Sequence, residues 1–207
     1  MSIQQHWNRV YKLPLEKIPW EIEKPPKELV ELINKKDVKR DKALDVACGT
    51  GNYSIFLAEK GYKVTGLDFS NQALKVAQNR AKAKKLKIKF KRADATKLTQ
   101  KFKEKFDLIL DYSLLHHITD KQIIHYAKQF PDLLKKRGKL LLVCYSEKDK
   151  HSKGKRTAIG KYGNIMYYRN AKEILGYYKN LDLIFYKKAR LGKRLHHFGH
   201  CFLFQKP

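Results

Sequence analysis

The stretch that decides the fold runs from Ala43 to Ser70, "ALDVACGTGNYSIFLAEKGYKVTGLDFS". It opens as a short apolar strand, "ALDVA", and breaks at Gly49-Thr50-Gly51. It continues as a helix, "NYSIFLAEKG", closed by Gly61, and ends as a second apolar strand, "KVTGLD", on Asp68. Strand and helix patterns that alternate in this way imply a parallel sheet covered on both faces. In such sheets ligands bind outside the carboxyl ends of the strands, where this glycine turn falls. Glycine at 49 and 51 leaves room for backbone and ligand to approach closely. Asp68, ending the neighbouring strand, is placed to accept hydrogen bonds from two ribose hydroxyls. The pattern therefore points to a nucleotide-like ligand.

The rhythm extends outward from this core. Ser70 is an N-cap for the helix "NQALKVAQNRAKAKK", in which Ala73, Leu74, Ala77 and Ala81 share one face. "KIKFKRAD" alternates as a strand and "FDLILDY" reads as a buried one. A helix is predicted from about Asp120 to Lys136, closed by Gly138, followed by the buried strand "KLLLVCYS". Residues 147–168 are polar and contain three glycines, a length and composition typical of lids and mobile loops. "NAKEILGYYKN" is a helix, and "LDLIFYKKA" and "HFGHCFLFQK" are two closing strands near enough to form a hairpin. Upstream, Pro25-Pro26 starts a helix whose apolar face is Leu29, Val30, Leu32 and Ile33. No repeat or second domain is evident, so residues 1–207 read as one domain. Residues 1–40 form an arm and first helix, 41–146 a ligand-binding core, and 147–207 a substrate-side loop, helix and closing strands.

Composition narrows the class. The 207 residues are 43% hydrophobic, ordinary for a globular chain with a sizeable core. No apolar run approaches the ~18 residues that span a bilayer, and "MSIQQHWNRVY" has no signal-peptide core. Cys48, Cys144 and Cys201 form neither a disulfide framework nor a metal-ligand spacing, so a reducing, cytoplasmic setting is expected. The net charge of +26 has two readings, a polyanionic partner such as RNA or a lysine-rich solvated surface. The 37 lysines outnumber the 9 arginines and are spread along the whole chain, which favours the second.

A dinucleotide and S-adenosylmethionine both fit a glycine turn followed by Asp68. The dinucleotide pattern requires a third small residue for helix packing, and that position is Ser54. Asp45, just before the turn, suits a ligand ammonium group held through water. The chain ends in a helix and two strands instead of a second mononucleotide-binding half. "LDVACGTG" with "GLDFS", then "RADATKL", "FDLILDYSLLHHI" and "LLKKRGKLLLV" together resemble the class I S-adenosylmethionine-dependent methyltransferases, over about residues 43–146. The resemblance implies a doubly wound, Rossmann-like sheet of seven strands, mostly parallel with the last antiparallel, and helices on both faces. It implies that Gly49 and Gly51 surround the cofactor's methionine portion and Asp45 supports it. Asp68 would hold the ribose and Phe69 cover one adenine face. Asp94 would meet the adenine amino group, beside a backbone donor at Ala95. Asp111 and Tyr112 would sit near the methionine end and the substrate.

The segment "HWNRVYKLPLEKIPWE" is similar to the start of small thiopurine-, thiol- and tellurite-type methyltransferases, in which it folds over the cofactor. Trp7, Tyr11 and Trp20 would then be lid residues that exclude water. The resemblance implies a small-molecule substrate such as a thiol or amine; the alternatives are an RNA or tRNA methyltransferase using the basic surface and a non-catalytic cofactor-binding partner of another enzyme, while no membrane partner is expected and nothing marks an oligomeric state. Asp111, Tyr112 and His116 are the catalytic candidates, with His117 and His197 as further bases. "RLHHFGHCF" has no carboxylate of its own, and no metal site is expected from it.

Overall fold

The computed structural model describes residues 3–22, 24–35, 38–100, 102–192 and 196–207. The strands are β1 (Lys42–Val46), β2 (Lys63–Asp68), β3 (Lys89–Arg92), β4 (Phe106–Tyr112), β5 (Leu134–Tyr145), β6 (Thr157–Ile159), β7 (Ile165–Tyr167), β8 (Asp182–Leu191) and β9 (His197–Gln205). The helices are α1 (Ile3–Val10), α2 (Lys27–Asn34), α3 (Asn52–Glu59), α4 (Asn71–Ala83), α5 (Ile123–Lys128), α6 (Phe130–Leu133) and α7 (Ala171–Tyr177). Seven strands form one sheet in the order β3-β2-β1-β4-β5-β9-β8. β1 to β5 are parallel, and β9 runs antiparallel between β5 and β8. The mostly parallel sheet with an antiparallel last strand is therefore present, and that strand lies inside the sheet rather than at its edge.

Alternation along each central strand divides the core in two, because successive side chains point to opposite faces. Leu44, Val46 and Ile109 join the helical residues Ile123, Tyr126, Phe130 and Ile174 on one face. Ala43, Leu108 and Leu110 join Leu29, Leu32, Ile33 and Leu57 on the other. Both faces are buried, so these strands carry no polar alternation and read as continuous apolar runs. Ser70 caps α4 as its sequence indicates, accepting a hydrogen bond from the Ala73 N–H at 3.2 Å. No helix among the described residues is long and apolar enough to cross a membrane.

Two segments depart from the sequence reading. The helix expected over about Asp120–Lys136 is two short pieces, α5 and α6, and β5 already begins at Leu134. Pro131 stands in the first turn of α6, where its missing N–H is harmless, but it could not continue α5 without a kink. Gly138 accordingly does not end a helix. It lies in β5 after Arg137 (φ 61°), where a Cβ would come within 2.8 Å of the carbonyl oxygens of Lys135 and Phe106. Residues 147–168 are partly ordered, because β6 and β7 form an antiparallel two-stranded hairpin.

Candidate functional site

The carboxyl ends of β1, β2 and β4 meet around the glycine turn. Ala47 (φ 57°), Gly49 (φ 54°) and Gly51 (φ 83°) all take left-handed conformations there, and Ser113 (φ 78°) does so just beyond β4. Such strain in non-glycine residues gathers at functional sites. The Cys48 N–H donates to the Leu67 carbonyl at 2.8 Å and the Gly49 N–H to Asp68 Oδ2 at 2.9 Å, so β2 holds the turn in place. The two glycines serve different purposes. A Cβ on Gly51 would lie 2.9 Å from the Ala77 Cβ and 3.3 Å from Phe90, so this glycine lets α4 and β3 pack close. A Cβ on Gly49 would instead meet the Tyr11 hydroxyl at 2.8 Å. A side chain at Gly49 would therefore crowd the arm, and one at Gly51 would crowd α4 and β3.

Three carboxylates gather here. Asp45 accepts a 2.6 Å hydrogen bond from the Ser54 hydroxyl, and burial raises its pKa to about 7. Ser54 is therefore an anchor for Asp45 as well as the small residue the helix packing needs. Asp68 accepts the Gly49 and Ser70 N–H groups, the latter at 2.8 Å, and burial still raises its pKa. Asp111 is 0% exposed and accepts from the Leu114 N–H (3.0 Å) and the Tyr126 hydroxyl (2.7 Å), with its pKa raised by burial to about 6. Each Asp111 oxygen thus accepts one hydrogen bond from within the protein. Tyr112, the next residue, points to the opposite face of the sheet and packs edge-on against Tyr53 at 5.1 Å between ring centroids.

The remaining sequence candidates are spread along the same end of the sheet. Asp94 Oδ1 accepts the Thr96 N–H (2.9 Å) and hydroxyl (2.7 Å) and caps a short turn, so the bland role of a turn residue is present. Ala95 is buried, and its carbonyl accepts from Gln129 Nε2 at 3.2 Å. Gln4 donates to the Phe69 carbonyl at 3.5 Å, and Ser70 Oγ donates to Asn8 at 2.8 Å, so α1 lies against the turn after β2. His116 is buried and stacked on Tyr145 (3.9 Å, 5°), and burial holds its pKa well below the usual imidazole range. His117 faces the arm instead, edge-on to Trp7 at 5.1 Å, and burial lowers its pKa to about 4.

The arm closes over this end. Trp20 Nε1 donates to the Tyr11 hydroxyl at 3.1 Å, and Trp7 packs edge-on against Trp20 at 5.6 Å. Trp20 meets Tyr162 of the β6–β7 hairpin at 5.6 Å, and the Tyr162 hydroxyl donates to the Lys17 carbonyl at 2.9 Å. A buried network that sequence reasoning missed pins the arm down. Arg80 Nη1 donates to Glu21 Oε1 (2.6 Å), Thr50 Oγ1 (2.7 Å) and Asn52 Oδ1 (2.8 Å). Glu21 also accepts from the Thr50 hydroxyl at 2.6 Å and from Asn52 at 2.7 Å. The only sequence signal was the glutamate after Pro19-Trp20. Its partners lie about 30 and 60 residues away, which no local pattern encodes.

The sequence profile of a family described as "Methyltransferase domain" matches residues 43–138. The chain carries a class I S-adenosylmethionine-dependent methyltransferase core. A ubiquinone biosynthesis O-methyltransferase of Coxiella burnetii is 36% identical over 103 residues, 50% of this chain and 43% of that protein. The chain thus spans less than half the length of the curated relatives it first matches. A solved structure concerned with the conversion of a disulfide bond into a thioacetal group in echinomycin biosynthesis superposes with a TM-score of 0.81 at 24% identity, covering 99% of this chain and 93% of that one. The N-methyltransferase NodS of Bradyrhizobium japonicum, solved with S-adenosyl-L-homocysteine, gives a TM-score of 0.72 at 17% identity, covering 97% of this chain and 98% of that one. At these identities the superpositions speak for the fold.

S-adenosylmethionine is the cofactor this core takes, and the residues present fit it. The ligand carries a sulfonium and an ammonium charge. Asp45, Asp68 and Asp111 form a buried acidic end to the sheet, with no lysine or arginine of the described residues among the hydrogen-bond partners of their carboxylates. Such a site favours a cation, and a bound cation would bring the raised pKa values back down.

Proposed function

We propose that this chain transfers a methyl group from S-adenosylmethionine to a small molecule bearing a thiol, amine or similar nucleophile. The observation that carries the reading is the aromatic roof. Trp7, Tyr11 and Trp20 reach from the glycine turn to His117 and Tyr162 and cover the carboxyl end of the sheet, as a site for a small substrate would be covered. On this reading residues 1–40 are the cover, 41–146 the cofactor core and 147–207 the substrate side of one methyltransferase unit.

In this assignment Asp68 takes the ribose hydroxyls and Asp45 the ammonium group. Phe69, Asp94 and Ala95 flank the adenine, and Gly49 admits the methionine portion. The bound cofactor supplies an activated methyl group on a sulfonium leaving group. The chain's own residues orient the nucleophile in line with that methyl and exclude water. If the nucleophile carried a proton, a side chain of the site or solvent would have to accept it. His117 and His116 are poor bases, since burial lowers both pKa values. Asp111 is held by Tyr126 and Leu114. A site with such weak bases suits a nucleophile that ionises easily or already has a free lone pair, so thiols and amines are favoured over alcohols.

Turnover to S-adenosylhomocysteine against a panel of thiols, amines, hydroxylated aromatics and bulk RNA tests this. Transfer to a thiol or amine, with a pH–rate profile that follows the substrate's own pKa, is expected. Stoichiometric label at one RNA position would overturn the small-molecule reading.

A further inference from the structure

His197 opens β9, and the loop after β5 brings two partners to it from 46 and 48 residues away in the sequence. Asp149 is 1% exposed, and its carboxylate is oriented by two backbone donors, the His151 N–H on Oδ1 (2.9 Å) and the Phe198 N–H on Oδ2 (2.7 Å). His151 Nδ1 lies 2.9 Å from Oδ1, and His197 Nδ1 lies 3.3 Å from Oδ2. One candidate ligand atom from each of the three residues lies within 4.8 Å of the others. The buried His197 Nδ1 makes no hydrogen bond among the described residues.

We propose that Asp149, His151 and His197 bind a divalent transition-metal ion of the zinc type. Two donors on a tetrahedral ion with bonds of about 2.0–2.1 Å stand roughly 3.3 Å apart; the two histidine–carboxylate spacings, 2.9 and 3.3 Å, are close to this, and within the 4.8 Å that bounds the set the two rings would draw together on binding. Two imidazoles and a carboxylate form a donor set suited to zinc, cobalt or nickel. The backbone N–H groups on both carboxylate oxygens hold Asp149 in the manner of an outer coordination shell. His151 is exposed, which leaves a fourth position open to water or to a substrate atom.

The placement gives the site a possible reach into the chemistry at the carboxyl end of the sheet. The His197 ring stacks on Tyr145 (4.5 Å, 12°), whose other neighbour in the stack is His116. The metal would stand one aromatic ring beyond the residues that follow β4. The histidine-rich segment had no carboxylate of its own, and the loop after β5 provides it.

Cobalt(II) titration of the metal-free full chain tests the site, read by visible d–d absorption and by competition with zinc(II). Saturable low-symmetry bands, displaced by zinc(II), are expected in the wild type and in His125→Ala, a surface control. In His151→Ala and His197→Ala the affinity should fall by about tenfold or more. Absence of the bands in the wild type, or a smaller loss in His151→Ala, would overturn the assignment. His151 is exposed, so its variant decides the matter even if His197→Ala does not fold. A hydrogen-bonded aspartate–histidine pair without metal affinity is the outcome that the negative result would establish.

Discussion

The two ends of the central sheet treat their carboxylates in opposite ways. At the amino end, Lys135 Nζ reaches Asp107 (2.6 Å) and Asp41 (3.0 Å), and the Lys42 N–H donates to Asp107 at 3.0 Å. The pKa of Asp41 falls, chiefly through the hydrogen bond from Lys135. At the carboxyl end, Asp45, Asp68 and Asp111 are held by amides and hydroxyls, and their pKa values rise through burial. A chain with 46 lysines and arginines has no shortage of cations to place there. Leaving Asp45, Asp68 and Asp111 without one as a hydrogen-bond partner among the described residues lowers apo stability and keeps their negative charge for a cationic ligand. Asp41 and Asp107 at the amino end are ion-paired, whereas at the carboxyl end the ion pair goes to Glu21 of the arm and the strand-borne Asp45, Asp68 and Asp111 accept from amides and hydroxyls.

Substitutions at the two ends should therefore separate stability from binding. The largest effect is expected from Gly51→Ala, which combines a left-handed backbone with a 2.9 Å approach to Ala77. It should lower stability by about 3 kcal/mol, measured by thermal or denaturant unfolding. Asp68→Ala should weaken S-adenosylmethionine binding by ~1.5–3 kcal/mol in calorimetry. The apo protein should unfold no earlier than wild type near neutral pH, because a costly buried charge has gone. An equal loss of stability would make Asp68 a structural acid and erase the contrast. Lys135→Met, at the other end, should cost about 1–2 kcal/mol of stability and leave cofactor affinity unchanged.

The pH dependence sharpens the same contrast. Asp45 titrates near pH 7 and Asp111 near pH 6 when folded, both above their ordinary value of 3.8. The folded apo chain holds protons that the unfolded chain has lost, so these groups make stability fall as pH rises from about 4 to 7. A cationic ligand favours the ionised forms. Cofactor affinity should then rise across pH 5.5–8 by roughly tenfold, with proton release visible as a buffer-dependent binding enthalpy. A flat affinity profile would show that the ligand does not sense these carboxylates. The smallest effect concerns the surface charge. RNA affinity should be weak, indifferent to sequence and lost steeply with salt, and cofactor should not change it.

The sequence reveals those parts of the molecule whose causes are local. β2 and β4 match their predicted runs residue for residue, because strands buried on both faces read as unbroken apolar stretches. The cap at Ser70 and the face of Ala73, Leu74, Ala77 and Ala81 follow from helix periodicity. The segment 120–138 misled because its apolar spacing suits a helix, while Pro131 and the bulge at Arg137–Gly138 divide it between two helices and a strand. The glycine turn was legible, but the contact that Gly51 permits with α4 required the position of Ala77. His116 and His117 differ by one residue, yet one is stacked inside and the other faces the arm. Contacts such as Glu21–Arg80 and Asp149–His197 join distant segments, and no periodicity carries them.

The position of β9 between β5 and β8 has a consequence for synthesis. While the chain emerges from the ribosome, β8 becomes available before β9 does, and in the finished sheet it pairs only with β9. Until β9 arrives, the nascent protein exposes two unpaired strand edges, on β5 and β8, with Leu183, Ile184 and Phe185 on the latter. Sheet completion is therefore a late, long-range event.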